Sequence, residues 1–233
     1  MATHVNDYQT RGTTVMNKKL LQAACLLLIV LFICPTLTSG QELKAVQLFE
    51  PQMNAGRPLM QVLKDRSSSR VFSTEKLPTQ VLSNMLWAAD GINRPNSGKR
   101  TAPSAMNWQE IDIYVATVDG LYLYDTEAHA LKPILTEDIR ALTGRQPFVK
   151  DVPVNLVYVA DFSRMGAAKV DDKVFYSAAA TGFISQNVYL YCASEGLATV
   201  VRGLVDRPAL AKVMRLRPDQ RVILAQSVGY PRK

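Results

Sequence analysis

A domain of mixed helix and strand is predicted by three features of the chain: an antiparallel hairpin turning at Asp119-Gly120, two further strands rich in aliphatic and β-branched residues, and a long helical stretch over 172–194. In chain order the first element is a short helix over 58–65, with Leu59, Val62 and Leu63 on one face. Leu77-Pro78 opens a second helix, because proline fits the first helical turn. Val81, Leu82, Met85, Leu86 and Ala89 then recur at helical spacing, and Gly91 marks the stop. Residues 93–104, rich in proline, serine, glycine and basic side chains, read as a loop. Gly98-Lys99 within it is not a P-loop, since position 93 is Asn where that motif needs Gly and position 100 is Arg where it needs Ser or Thr. In the hairpin, Ile111, Ile113 and Val115 alternate with Asp112 and Tyr114, and residues 121–125 return after the turn. Strands over 154–160 and 221–228 follow the same β-forming composition. The stretch 172–194 carries small residues at Ala178, Ala179, Ala180, Gly182 and Ala193, the pattern of a helix buried over much of its circumference, and a shorter helix covers 207–216.

Ahead of this domain, Lys18-Lys19, an apolar run over 20–34, Pro35 and the small residues Thr38-Ser39-Gly40 form a secretory signal peptide. The run is shorter than the ~20 residues that span a bilayer, so no permanent membrane anchor is expected. The division is therefore an N-terminal extension and signal peptide at 1–40 and a single domain at 41–233, exported to a periplasm or secreted after cleavage near Gly40. Met16 is an alternative start to Met1. Cys25, Cys34 and His4 belong to the leader, leaving Cys192 and His129 as the domain's sole cysteine and histidine. That excludes an intramolecular disulfide and a His/Cys metal site, and makes His129 the one possible histidine of a serine triad. Between two alanines after a strand, it reads as a loop or edge histidine, and Cys192 as a buried, inert thiol. Without the leader, basic residues fall from 27 to 24 and acidic ones from 20 to 19, for a charge of about +5. The basic residues are scattered and no nucleic-acid motif accompanies them, so nucleic acid is not an expected partner.

Chemistry enters with Arg66-Ser67-Ser68-Ser69-Arg70. Guanidinium forks and short hydroxyls at an element end can cradle a phosphate, and a solvated polar loop is the competing reading. The motifs Arg66-Ser67-Ser68-Ser69-Arg70-Val71-Phe72, Ala102-Pro103-Ser104-Ala105-Met106-Asn107-Trp108-Gln109, Glu195-Gly196-Leu197 and Gly229-Tyr230-Pro231 occur in the order expected of the FMN-dependent nitroreductase family. The chain resembles that family over 58–231. Leu86-Trp87-Ala88-Ala89, Gly91-Ile92-Asn93-Arg94-Pro95 and the run 98–105 carry a closer likeness to its compact branch, that of the SagB-type thiazole/oxazole-forming dehydrogenases.

The resemblance implies an α+β fold with an antiparallel-dominated central sheet flanked by helices, and a homodimer with FMN at the subunit interface. It implies that Arg66, Ser67 and Ser68 hold the phosphate and ribityl chain, and that Arg70 lies near the flavin pyrimidine, where a cation stabilises charge gained on reduction. Pro103, Ser104 and Asn107 match the stretch lining the isoalloxazine ring, and Glu195-Gly196 the turn whose N–H faces N5. Asn107 as an ordinary turn residue and Glu195-Gly196 as a helix cap are the structural alternatives. The family's C-terminal arm would extend past Gly229-Tyr230-Pro231; here Arg232 and Lys233 stand in its place, and Lys233 joins the cofactor set. An acidic residue common in the middle of the family's cofactor-facing helix is replaced by Ala180-Thr181, so no catalytic acid is assigned. The implied activity is two-electron transfer through flavin N5 on a small-molecule redox substrate, in a ping-pong cycle. NAD(P)H as donor stays open, because it is a cytoplasmic reductant, and without a twin-arginine pair FMN would be loaded after export. A non-catalytic flavin- or partner-binding protein on the same scaffold is the alternative.

Overall fold

The computed structural model describes residues 43–232, and its centre is a seven-stranded sheet in which every neighbouring pair is antiparallel. Its strands are β1 (Val46–Gln47), β4 (Ile111–Thr117), β5 (Gly120–Asp125), β6 (Ala130–Leu135), β7 (Val154–Asp161), β8 (Ala198–Arg202) and β9 (Gln220–Gly229), in spatial order β1-β6-β5-β4-β7-β9-β8. The helices are α1 (Leu59–Asp65), α2 (Thr79–Asp90), α3 (Val170–Glu195) and α4 (Arg207–Val213). The α+β class with an antiparallel sheet is thus the observed architecture.

Both faces of the sheet are covered. Ile111, Ile113 and Val115 of β4 join Met85, Leu86, Ile184 and Val188 in one core, whereas Tyr114 and Ala116 join Val157, Leu210 and Met214 in a second. Helices α2 and α3 cover the first face and α4 the second, so all eight residues of β7 are buried. The alternation expected of β4 is correct in period, but Tyr114, placed on its polar side, is buried as well.

Of four local expectations, three are corrected and one holds. Residues 93–104 are not a plain loop: β2 (Ile92–Arg94) and β3 (Lys99–Arg100) pair antiparallel around a short 3₁₀ turn that ends at Gly98, φ +61°. Gly91 does end α2, with φ −70° rather than in the left-handed region; glycine is required there because a Cβ would overlap the Trp87 indole. In α1 only Val62 of the predicted apolar face is buried, and Leu59 and Leu63 are exposed. In α3 the buried stripe is Ser177, Ala180, Thr181, Ile184, Ser185, Val188 and Cys192, leaving Val174, Phe175 and Phe183 exposed, so the helix is covered on one side only. Strands β1, β6 and β8 were not anticipated. No described helix is long and apolar enough to cross a membrane, and the proposed leader lies outside the described residues.

Candidate cofactor site

The Arg/Ser cluster begins where α1 ends. Arg66 caps that helix through its N–H to the Val62 carbonyl, and its guanidinium lies 5.4 Å from the centre of the Tyr189 ring on α3. Ser68 Oγ is 2.8 Å from the Tyr189 hydroxyl, which also accepts from the Val201 N–H of β8. Ser69 N–H donates to the Thr199 carbonyl, so the segment runs beside β8. Tyr189 thus ties this segment to β8; an aromatic on a long helix gives no sequence signal for that. Among the described residues neither Arg66 nor Arg70 has a carboxylate partner, which leaves two surface guanidiniums able to take an anion.

Residues 230–232 lie against the same segment. Ser73 N–H donates to the Tyr230 carbonyl, Phe72 bridges to Pro231, and Arg70 and Arg232 line one cleft of about 290 Å³. Lys233 falls outside the described residues. Glu195 and Gly196 are at this end too, immediately before β8. Gly196 adopts φ +69° and donates its N–H to the Cys192 carbonyl, which Leu197 N–H also reaches, so that amide already closes the helix.

Pro103, Ser104 and Asn107 lie elsewhere, beside the first residues of β4. They line a second cleft, of about 280 Å³, with Arg94, Lys99, Arg100 and Gln109. Met106, Asn107 and Gln109 all have positive φ, an uncommon cluster of left-handed non-glycine residues of the kind found where a site holds its backbone under constraint. Ser104 Oγ accepts from the Gln109 N–H at 2.8 Å and lies 3.0 Å from Glu110 Oε2. The two halves of the expected site sit at opposite ends of the sheet. Val154 of β7 pairs with Val228 near the Arg/Ser segment, and Ala160 pairs with Ile111 beside the second cleft. Six strand residues at about 3.3 Å each separate them by about 20 Å. One protomer does not bring Arg66 and Asn107 together.

Beneath the second cleft lies a buried polar cluster absent from the sequence reading. Arg100 Nη1 donates to Asp90 Oδ2 at 2.5 Å, and Glu110 is fully buried. Burial outweighs that ion pair and pushes the Asp90 carboxyl up to about 7, with Glu110 and Asp112 adding to the rise. These residues stand ten apart in sequence, a spacing with no pattern of its own; the β2–β3 hairpin gathers them.

His129 is a structural residue. Its Nδ1 is 2.9 Å from the Tyr124 hydroxyl, and its Nε2 is within 3.0 Å of the Phe49 carbonyl and 2.8 Å of Ser83 Oγ. Ser83 is fully buried and tyrosine, not a carboxylate, holds the other nitrogen, so this is no hydrolytic triad. Cys192 is fully buried, and burial pushes its thiol well above the usual range, as expected of an inert residue.

An antiparallel sheet flanked by helices in this order is the fold of an α+β oxidoreductase scaffold. Residues 63–230 match the family model described as the nitroreductase family, and the chain belongs to that family. A provisionally assigned nitroreductase of Methanocaldococcus jannaschii is 31% identical over 169 residues, spanning 68% of this chain and 85% of the relative. The crystal structure of a provisionally assigned nitroreductase from Ralstonia eutropha JMP134 superposes with a TM-score of 0.78 at 43% identity, covering 83% of this chain and 92% of that one. The Escherichia coli microcin synthetase McbBCD complex shares the fold at 18% identity and a TM-score of 0.63, covering 96% and 85%.

Proposed function

We propose that this protein is an FMN-dependent oxidoreductase that acts as a homodimer, each cofactor site being built from the Arg/Ser end of one protomer and the Pro103–Asn107 end of its partner. The observation that carries the reading is the separation of two basic clefts by about 20 Å in one chain. Each holds part of the residue set that the family resemblance assigns to one cofactor. Exposed apolar side chains on α1 (Leu59, Met60, Leu63) and α3 (Val174, Phe175, Phe183) supply a surface for such pairing.

The residues fit the cofactor's chemistry. Arg66, Ser67 and Ser68, with Arg232 and Lys233, would neutralise and hydrogen-bond the phosphate, and Arg70 would place a cation where reduction adds charge. Pro103, Ser104 and Asn107 would line the ring from the partner. Glu195-Gly196 would form the reactive edge, the Gly196 N–H being shared with the Cys192 carbonyl. When bound, FMN supplies two-electron hydride transfer through N5, accepting from one small molecule and passing to another in a ping-pong cycle. The chain's own part is to bind, orient and exclude water. The motif run 86–105 supports placement in the SagB-like branch, and the leader supports an exported protein whose donor is other than cytoplasmic NAD(P)H.

The test is flavin uptake by residues 41–233, followed by the flavin absorption spectrum. Tight uptake, lost by a factor of about 10 or more in Arg66→Ala, is the expected result. A folded protein that takes up no flavin overturns the reading and leaves the alternative of a retained scaffold that binds a partner.

A further inference from the structure

The cluster formed by Asp90, Arg100 and Glu110 leaves two polar atoms without partners. Glu110 Oε1 and Arg100 Nε are both buried and unpaired, an acceptor and a donor. Both residues line one small cavity of about 10 Å³, together with Asp90, Ala102, Pro103, Ser104 and Gln109. That volume is about the least that admits a single water, and a water there has a donor and an acceptor waiting.

The charges do not balance. Arg100 pairs with Asp90, Arg164 with Asp112 at 2.7 Å, and Arg217 with Asp161 at 2.6 Å. Glu110 is the carboxylate left over, fully buried and held only by the Ser104 hydroxyl through Oε2. Tyr124 and Tyr158 of the sheet are kept neutral by burial and bond to His129 Nδ1 and Gln226 Oε1, and α3 adds only Ala180 and Ile184 to the cavity wall. Among the described residues no second cation lines that cavity, so one guanidinium faces two buried carboxyls, and the Asp90 carboxyl is the one that burial raises toward neutrality.

We propose that this cluster is a hydrated proton store, with one water held between Arg100 Nε–H and Glu110 Oε1, one proton retained by the Asp90/Glu110 pair, and Ser104 as its outlet to the Pro103–Asn107 face. Two-electron reduction of an acceptor consumes one hydride and one proton. In the delivery step Ser104 passes its hydroxyl proton to the acceptor and is resupplied with the pair's proton along its hydrogen bond to Glu110 Oε2. Ser104 ends unchanged, the pair ends one proton poorer, and solvent returns that proton. Asp90, Arg100 and Glu110 are positioning and proton-holding residues in this scheme. The delivery step rests on the reading of that face as the cofactor-facing one; the proton store itself does not.

The experiment is infrared titration of the protonated-carboxyl stretch in the purified protein, for wild type, Glu110→Gln, Asp90→Asn and Ser104→Ala. Wild type should show one carboxyl that loses its proton with a midpoint near 7. Removing either acid ends the competition for the proton, so that signal should vanish or move to lower pH in both acid variants, and either one suffices if the other does not fold. Ser104→Ala should keep the titration and lower the rate of acceptor reduction several-fold. Absence of a titrating carboxyl in wild type, or its persistence unchanged in both acid variants, overturns the proposal. Unchanged turnover in a flavin-loaded Ser104→Ala protein overturns its delivery step. Flavin absorption on the same samples separates the two readings, because a protein that titrates as described and takes up no flavin retains the store and loses the cofactor assignment.

Discussion

Arg202 is a buried guanidinium whose hydrogen-bond partners are all neutral: the Thr143 carbonyl and hydroxyl, Asn155 Oδ1 and Ser227 Oγ. Burial lowers its pKa to about 10, still high enough for it to stay charged at neutral pH. It clamps the 143–155 segment to β7 and β9, and that segment carries Phe148, Asp151 and Val152, which wall the cleft of Arg70 and Arg232. Gly144 is the residue that lets the clamp close, since a Cβ there would overlap the Arg202 guanidinium. Gly144→Ala is therefore expected to cost about 1–3 kcal/mol of stability through overpacking, measured by urea unfolding. Gly203, whose Cβ would meet only a Leu224 methyl at 3.8 Å, is the control expected to change little on the same substitution.

Elements differ in how far the sequence disclosed them, and the difference has a physical basis. Helix α2 was legible because one face is buried and the other solvated, which imposes a helical period on Leu82, Met85, Leu86 and Ala89. The β4–β5 hairpin was legible because Asp119-Gly120 states its own turn. Strands β1, β6 and β8 were not. β1 is two residues long, β6 contains Pro133, and β8 follows the α3 cap after a single residue. The half-site residues were readable from ordered motifs, whereas the Asp90–Arg100–Glu110 cluster needed three dimensions. Apolarity also says that a face wants cover without saying what covers it, as α1 shows. Its Leu59 and Met60 are 61% and 75% exposed in the protomer. Replacing both with lysine should lower protomer stability by no more than about 0.5 kcal/mol, as for ordinary surface positions. If α1 lies in the pairing surface, the same change should weaken self-association at least about tenfold by sedimentation, since two buried apolar side chains contribute about 1.5–3 kcal/mol each. Unaltered association would place the interface elsewhere.

At the scale of the whole molecule the question is whether Arg66 and Asn107 serve one cofactor from two chains. Charge and size cannot answer it, because a monomer with two unrelated basic clefts would look the same. Genetic complementation can. Arg66→Ala spoils the Arg/Ser half of every site, and Asn107→Ala spoils the other half. Each variant alone should bind flavin weakly. Co-expressed in equal amounts and pairing at random, half of the dimers are mixed. In a mixed dimer both lesions fall into one of the two sites, and the other is assembled from the intact half of each chain. About a quarter of all sites should then recover wild-type affinity, as two-fold symmetry requires. A site built within one protomer admits no such rescue, because each chain carries its own lesion. Flavin titration of the mixture therefore yields either a tight class near one quarter of the total or none. The second outcome would assign Arg66 and Asn107 to separate sites with separate ligands.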